Sequence, residues 1–269
     1  MTKEEYRAFK QQEKADVFEK LSAATQKLLS AEHLKEYADM QARMPGQSVS
    51  NVLLIMDQKP EATLVGTYED WKKENAFPKK GEKAIMTLAA DYYQKPDGTK
   101  GMTSKVVKVF DISQTTAEKR EVSRAVSRGA ADLIMKGYLP AAEIPELPNG
   151  EYAIYHPDKK TVYVKAGLDP DTKFFAIARE QAVAMMTKGD ALTRADVITD
   201  AGMSAYIVTK RYGFEPPNIE FGRLASRFYG KEEKEVREKL GGIRFTADRI
   251  HQKVQEQAEQ SRSARETER

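Results

Sequence analysis

The chain has no cysteine, one tryptophan and three histidines in 269 residues. Without cysteine there is no disulfide framework, no thiolate metal site and no cysteine nucleophile. The histidines, His33, His156 and His251, are scattered along the chain, so a three-ligand nitrogen site is not expected. No apolar run approaches the roughly 18 residues that a membrane span needs. Met1-Thr2-Lys3-Glu4-Glu5-Tyr6 lacks the apolar segment of a secretory signal, so a cytoplasmic protein without membrane contact is expected. Charge of one sign is also scarce. The formal net charge is +3, so an electrostatic case for nucleic acid has to be local. Lys80-Gly81-Glu82-Lys83 lacks the preceding glycines and the Lys-Ser/Thr pair of a phosphate loop, and no serine sits in a Gly-x-Ser-x-Gly elbow. No cofactor is expected.

What is present is helix-friendly, with 32% charged and 40% hydrophobic residues. The periodicity predicts two helices over 3–43, with Ser30 a candidate N-cap between them, and a short apolar helix from Val49 to Met56. A strand is expected from Thr63 to Tyr68. Two more, Ala84–Tyr93 and Ser104–Ile112, are joined by the turn signal Pro96-Asp97-Gly98. Residues 116–137 read as a helix with Gly137 at its end. The proline-bearing stretch 139–150 reads as a linker, and 151–165 as a hairpin turning at Pro157-Asp158. Helices then follow over 171–188, 193–212, 219–229 and 231–258, the last interrupted by Gly241-Gly242, with a frayed polar tail from Gln257. The fold class is α+β and helix-rich. Its expected parts are 1–138, the linker 139–150, a mostly helical part with a β-hairpin at 151–230, and a charged C-terminal helix and tail at 231–269.

Five lysines fall between Trp71 and Lys83: Lys72, Lys73, Lys79, Lys80 and Lys83. The following hairpin adds Tyr92, Tyr93 and Lys95, then Lys105 and Lys108 on its return. Cations that track phosphates, interleaved with rings that stack on unpaired bases, are what a single-strand binder needs. Trp71 reads either as a stacking platform or as core. Tyr92 and Tyr93 are adjacent on a strand and face opposite sides, so at most one is expected to be exposed. Asn51 and Gln58, two helical turns apart, either present amides to bases or satisfy buried backbone.

The words of this half occur in a telling order: Ser48-Val49-Ser50-Asn51-Val52-Leu53-Leu54-Ile55, then Val65-Gly66-Thr67-Tyr68 and Trp71-Lys72. Lys79-Lys80-Gly81-Glu82-Lys83-Ala84-Ile85 and Val107-Lys108-Val109-Phe110-Asp111-Ile112-Ser113-Gln114-Thr115 complete it. Over roughly residues 20–117 this string resembles the N-terminal domain of the ArdC antirestriction proteins and the LtrC-like proteins of conjugative plasmids and transposons. The resemblance implies a single-stranded-DNA-binding module and a role in protecting incoming DNA of mobile elements. It implies single-stranded DNA as partner, and a protein of the transfer or restriction machinery as the alternative.

The family often continues into a zincin-like metallopeptidase domain, whose His-Glu-x-x-His helix converges on zinc while the Glu polarises a water. At the matching places stand Arg179, Glu180 and Val183, with the acidic third ligand falling near Asp200 or Gly202. A permanent cation and an aliphatic side chain cannot ligate zinc, so a non-enzymatic pseudo-peptidase frame without metal is expected, with a cryptic metallopeptidase as the remaining alternative. Glu180 itself reads as one half of a local ion pair with Arg179, or as part of a solvated face.

Overall fold

A computed structural model describes residues 1–118, 127–189 and 191–267. Three helices open the chain: α1 (Lys3–Lys27), α2 (Ala31–Arg43) and α3 (Val49–Gln58). Thr2 caps α1 in a reciprocal capping box with Glu5, and Ser48 caps α3 by accepting from the Asn51 amide. Ser30 occupies the N-cap position of α2, but its side chain makes no cap hydrogen bond.

A three-stranded antiparallel sheet follows, ordered β1-β3-β2. It is built from β1 (Val65–Thr67), β2 (Ile85–Gln94) and β3 (Lys100–Asp111), with the short helix α4 (Tyr68–Lys73) after β1. β1 pairs only with Val109–Asp111, whereas β2 pairs with β3 along its whole length, from Ile85↔Val109 to Gln94↔Lys100. The distal part of β2–β3 is therefore a two-stranded ribbon, flanked on neither edge by another strand.

The expected linker is not one. Ala141–Ile144 forms β4, which pairs in parallel with β6 (Thr161–Lys165) in a second sheet ordered β4-β6-β5, where β5 is Ala153–His156. Pro140 and Pro145 bracket β4, and an edge strand tolerates such neighbours. Part of the helix expected over 116–137 lies outside the described residues. Of its described remainder, residues 116–118 are not helical, and the rest is α5 (Ser127–Leu133) and a short 3₁₀ turn.

Four helices complete the chain: α6 (Pro170–Met186), α7 (Arg194–Arg211), α8 (Phe221–Ser226) and α9 (Glu233–Thr267). Asp169 caps α6, with Pro170 at the first helical position, where its missing N–H costs nothing. Gly241-Gly242 does not interrupt α9, and the helix extends into the tail expected to fray, as far as Thr267. Continuous apolar packing outweighs the propensity cost of two glycines, about 1 kcal/mol each. Val236, Leu240, Ile243, Ala247, Ile250 and Val254 all face the interior. Each large apolar side chain so buried contributes roughly 1.5–3 kcal/mol.

α9 packs against α1, α3, α6 and α7. The buried cluster consequently runs unbroken from Val17 on α1 to Val254 on α9, and the two halves share one core.

Candidate nucleic-acid surface and a closed acidic site

Trp71 is 6% exposed and packs with Ala76 and Ile112 in a small satellite cluster. Its indole N–H donates to the Phe110 carbonyl at 2.8 Å. Gly66 makes room for it, since a Cβ there would lie 3.2 Å from Trp71 Nε1. The ring therefore belongs to the core and is not presented as a stacking platform.

Asn51 and Gln58 act on backbone. Asn51 Nδ2 donates to the Leu88 carbonyl at 3.1 Å while its Oδ1 accepts from the Leu88 N–H at 2.9 Å. Gln58 repeats the pattern at Met86, with 2.9 Å in each direction. The two amides thus clip α3 to the outer edge of β2 as a neighbouring strand would. Beyond Leu88 this edge carries no such clip among the described residues.

The lysine turn is held from below. Asp111, 1% exposed, accepts from the backbone N–H groups of Thr63, Leu64 and Ser113. Burial alone would raise its pKa. The hydrogen bonds from Ser113, Thr63 and Leu64 outweigh that and hold the carboxyl below its ordinary value. Gln114 accepts from the Asp111 N–H and donates to Glu82 and to the Lys83 carbonyl. The Lys79 N–H donates to the Gln114 carbonyl, and Lys79 Nζ donates to the Ser113 carbonyl. Lys72, Lys73, Lys80 and Lys83 stand in solvent, with Lys73 3.3 Å from Asp70.

The β2–β3 ribbon presents its rings on both faces. Tyr92 is 71% and Tyr93 50% exposed, so the expectation that only one would be free is corrected. A strand hides one face only when something packs on it, and at Tyr92 and Tyr93 both rings remain exposed. Tyr92 lies opposite Met102, itself exposed, and Tyr93 lies across Gly101. Lys95 and Lys100 are exposed beside the turn. Lys105 pairs with Asp91 at 3.3 Å, and Lys108 lies 3.6 Å from Glu13. These lysines and tyrosines come together on one ribbon; Asn51, Gln58 and Trp71 do not join them.

In the second half, Glu180 is fully buried on α6, and both its oxygens are taken. Oε1 accepts from Arg179 Nε at 3.1 Å. Oε2 accepts from the Tyr155 N–H at 3.0 Å and from Arg194 Nη1 at the start of α7. Arg179 Nη2 and Arg194 Nη2 also hold Glu151, at 2.8 and 3.5 Å. Two carboxylates and two guanidiniums thus form a neutral, closed cluster. It goes beyond the local Arg179–Glu180 pair expected, and it is no solvated face.

Val183 is buried among apolar neighbours, and Asp200 belongs to a different cluster, with Arg227 at 3.3 Å and Lys239. No group of three or more His, Asp or Glu side chains suited to a metal occurs among the described residues. The donor set around Glu180 does not fit a divalent cation, because cationic side chains already occupy its oxygens. Glu151 and Arg194 were not singled out from the sequence. A buried glutamate's need for a counter-ion is the signal, but spacing does not reveal which residue answers it. The residue after Glu180, Gln181, donates to the Ile134 and Leu139 carbonyls, and a Cβ at Gly137 would meet it at 2.9 Å. That close approach is why a glycine stands there.

Residues 8–130 match the family model of the N-terminal domain of anti-restriction factor ArdC. No curated protein matches the sequence. Among solved structures, the fold is similar to the metal-free crystal structure of the antirestriction ArdC protein from the R388 plasmid. That match has a TM-score of 0.60 and 13% identity, over 88% of this chain and 98% of that one. The Mn(II)-bound structure of the same protein matches at a TM-score of 0.60 and 12% identity, over 87% and 97%. Residues 8–130 thus match the ArdC N-terminal domain, and over most of the chain the fold is similar to that of ArdC.

Proposed function

We propose that this chain is a non-enzymatic single-stranded-DNA-binding protein with an antirestriction role, of the accessory kind carried by conjugative plasmids and transposons. The carrying observation is the β2–β3 ribbon, where Tyr92 and Tyr93 are exposed on opposite faces beside Lys95 and Lys100. Bases splayed from a single strand stack on such rings while ammonium groups meet the phosphates, and neither contact reads a base sequence. The ArdC-type N-terminal domain supports the antirestriction part of the reading.

The closed cluster supports the non-enzymatic part. A zincin glutamate works by polarising a metal-bound water, whereas Glu180 has both oxygens occupied by Arg179, Arg194 and the Tyr155 amide. The α6–α7 region acts in this reading as a scaffold that shares its core with the binding half.

Titration with fluorescent single- and double-stranded oligonucleotides at two salt concentrations tests the proposal. Preference for the single strand, weakening as salt rises, is the expected result. Equal binding of both forms, or binding indifferent to salt, overturns it.

A further inference from the structure

We infer that the N-terminal half of α1 continues the strand-binding surface of the β2–β3 ribbon, so that Tyr6 and Phe9 form a second stacking station for the same nucleic acid. This rests on the single-strand reading above and extends it to residues outside the ribbon.

α1 has one core stripe, Val17, Leu21, Ala24 and Leu28, at helical spacing. Followed toward the N-terminus, the same stripe passes Glu13 and Lys14, then Lys10, then Tyr6. From Met1 to Gln12 every residue is exposed. The helix crosses β3 where the stripe leaves the core: Lys14 Nζ donates to Thr103 Oγ1 at 3.0 Å, and Glu13 meets Lys108. Beyond that crossing the helix face has no partner among the described residues, although it carries rings.

Those rings are paired with cations. Lys10 Nζ lies 5.8 Å from the Phe9 ring centroid and 6.0 Å from that of Tyr6. Lys14 Nζ lies 5.9 Å from the centroid of Phe18, which is also exposed. Of the ten exposed Phe and Tyr rings among the described residues, five, Tyr6, Phe9, Phe18, Tyr92 and Tyr93, lie on α1 and the ribbon.

The chemistry of the patch selects its occupant. Two of its carboxylates are matched by cations, Glu13 by Lys10 and Lys108 and Asp91 by Lys105, while Glu5 accepts in the α1 cap and Asp16 from Gln12. Lys14, Lys95 and Lys100 have no carboxylate partner among the described residues. A protein groove would favour contiguous aliphatic side chains. Separated rings with adjacent ammonium groups suit alternating bases and phosphates. The lysine bonded to Thr103 bridges the ribbon and α1, so a strand passing from one to the other stays near positive charge.

The test uses the full chain with fluorescent oligothymidylates of about 5 and about 20 nucleotides, spanning the site sizes usual for single-strand binders. Tyr6→Ala/Phe9→Ala should weaken the long oligonucleotide about tenfold or more while leaving the short one within about twofold. Tyr92→Ala/Tyr93→Ala should weaken both. Lys10→Gln, which removes no ring, should weaken only the long one, by a few-fold. Both α1 substitutions lie outside the core, and a thermal melt checks that they fold. If the wild type binds neither oligonucleotide, the single-strand reading itself fails. If it binds both and the α1 variants are indistinguishable from it, only the second station is overturned. Concentration-dependent self-association that Tyr6→Ala/Phe9→Ala abolishes without weakening DNA binding would likewise overturn it, in favour of a contact between copies.

Discussion

Tyr93 and Gly101 face each other across the β2–β3 ribbon, and the ring fills the space a side chain at 101 would need. A Cβ on Gly101 would approach Tyr93 Cζ to 2.4 Å. The glycine thus lets the ring lie along the strand surface instead of swinging free. Replacing Gly101 by Val should lift the ring and loosen single-strand binding several-fold, because a pre-placed ring loses less freedom on stacking. Equilibrium unfolding should register little change, since this stretch lies outside the core. Unchanged affinity in the same titration would show that the ring's placement is unimportant.

Trp71 supplies a spectroscopic check. As the sole tryptophan, buried and bonded to Phe110, it should emit at the short wavelengths of an apolar setting. Its emission should shift little when single-stranded DNA is added. Substituting Ala should destabilise the protein by about 3–5 kcal/mol, the usual cost of emptying a buried aromatic site. Strong quenching by DNA would return the ring to the binding surface.

Much of this architecture is legible in the sequence. The short apolar helix from Val49 and the hairpin turn at Pro96-Asp97-Gly98 stand where the pattern places them. What escapes is decided at long range. Trp71 reads as either a platform or core until Phe110, 39 residues away, supplies its carbonyl. Asn51 reads equally as a base-reader or a backbone clip, and only the approach of Leu88, 37 residues away, decides it. The Pro140–Pro145 stretch reads as linker because a parallel edge strand needs a partner that lies later in the chain. That Arg179 and Val183 offer no zinc ligand is plain from the sequence. The clasp around Glu180 is not, because Arg194 reaches back from the next helix.

The Asn51 clip should be worth about 1–2 kcal/mol, since Asn51→Ala leaves the Leu88 N–H and carbonyl without their partner. Urea unfolding measures it. Single-strand affinity, measured where the variant is folded, should stay within about twofold. A selective loss of binding at full stability would instead make Asn51 a contact residue.

Around Glu180, Arg194→Ala should cost about 1–3 kcal/mol, less than a fully buried pair because Arg179 remains and Arg194 is partly exposed. Glu180→Gln in the Arg194→Ala background should recover part of that loss by removing the uncompensated charge. A double-mutant cycle measures the coupling. Zinc or manganese should not raise the melting temperature of the wild type, and a clear rise would contradict the closed cluster.

Asp111 sets an acid limit. Its folded pKa lies below its ordinary value of 3.8, so the unfolded chain takes up the proton first. The stability it contributes is complete above pH 3.8 and is lost as pH falls through the folded value. Asp111→Asn should flatten that acid limb and lower stability at neutral pH by about 1–3 kcal/mol. An unchanged limb in a pH series of unfolding curves would assign the acid sensitivity elsewhere.

The most direct measurement is the single-strand affinity of Tyr92→Ala/Tyr93→Ala beside that of the wild type, at one salt concentration and with matched thermal melts. Two exposed rings that stack on bases predict a loss of at least about tenfold at an unchanged melting temperature. Wild-type affinity in that variant would contradict the assignment of the ribbon as the binding surface.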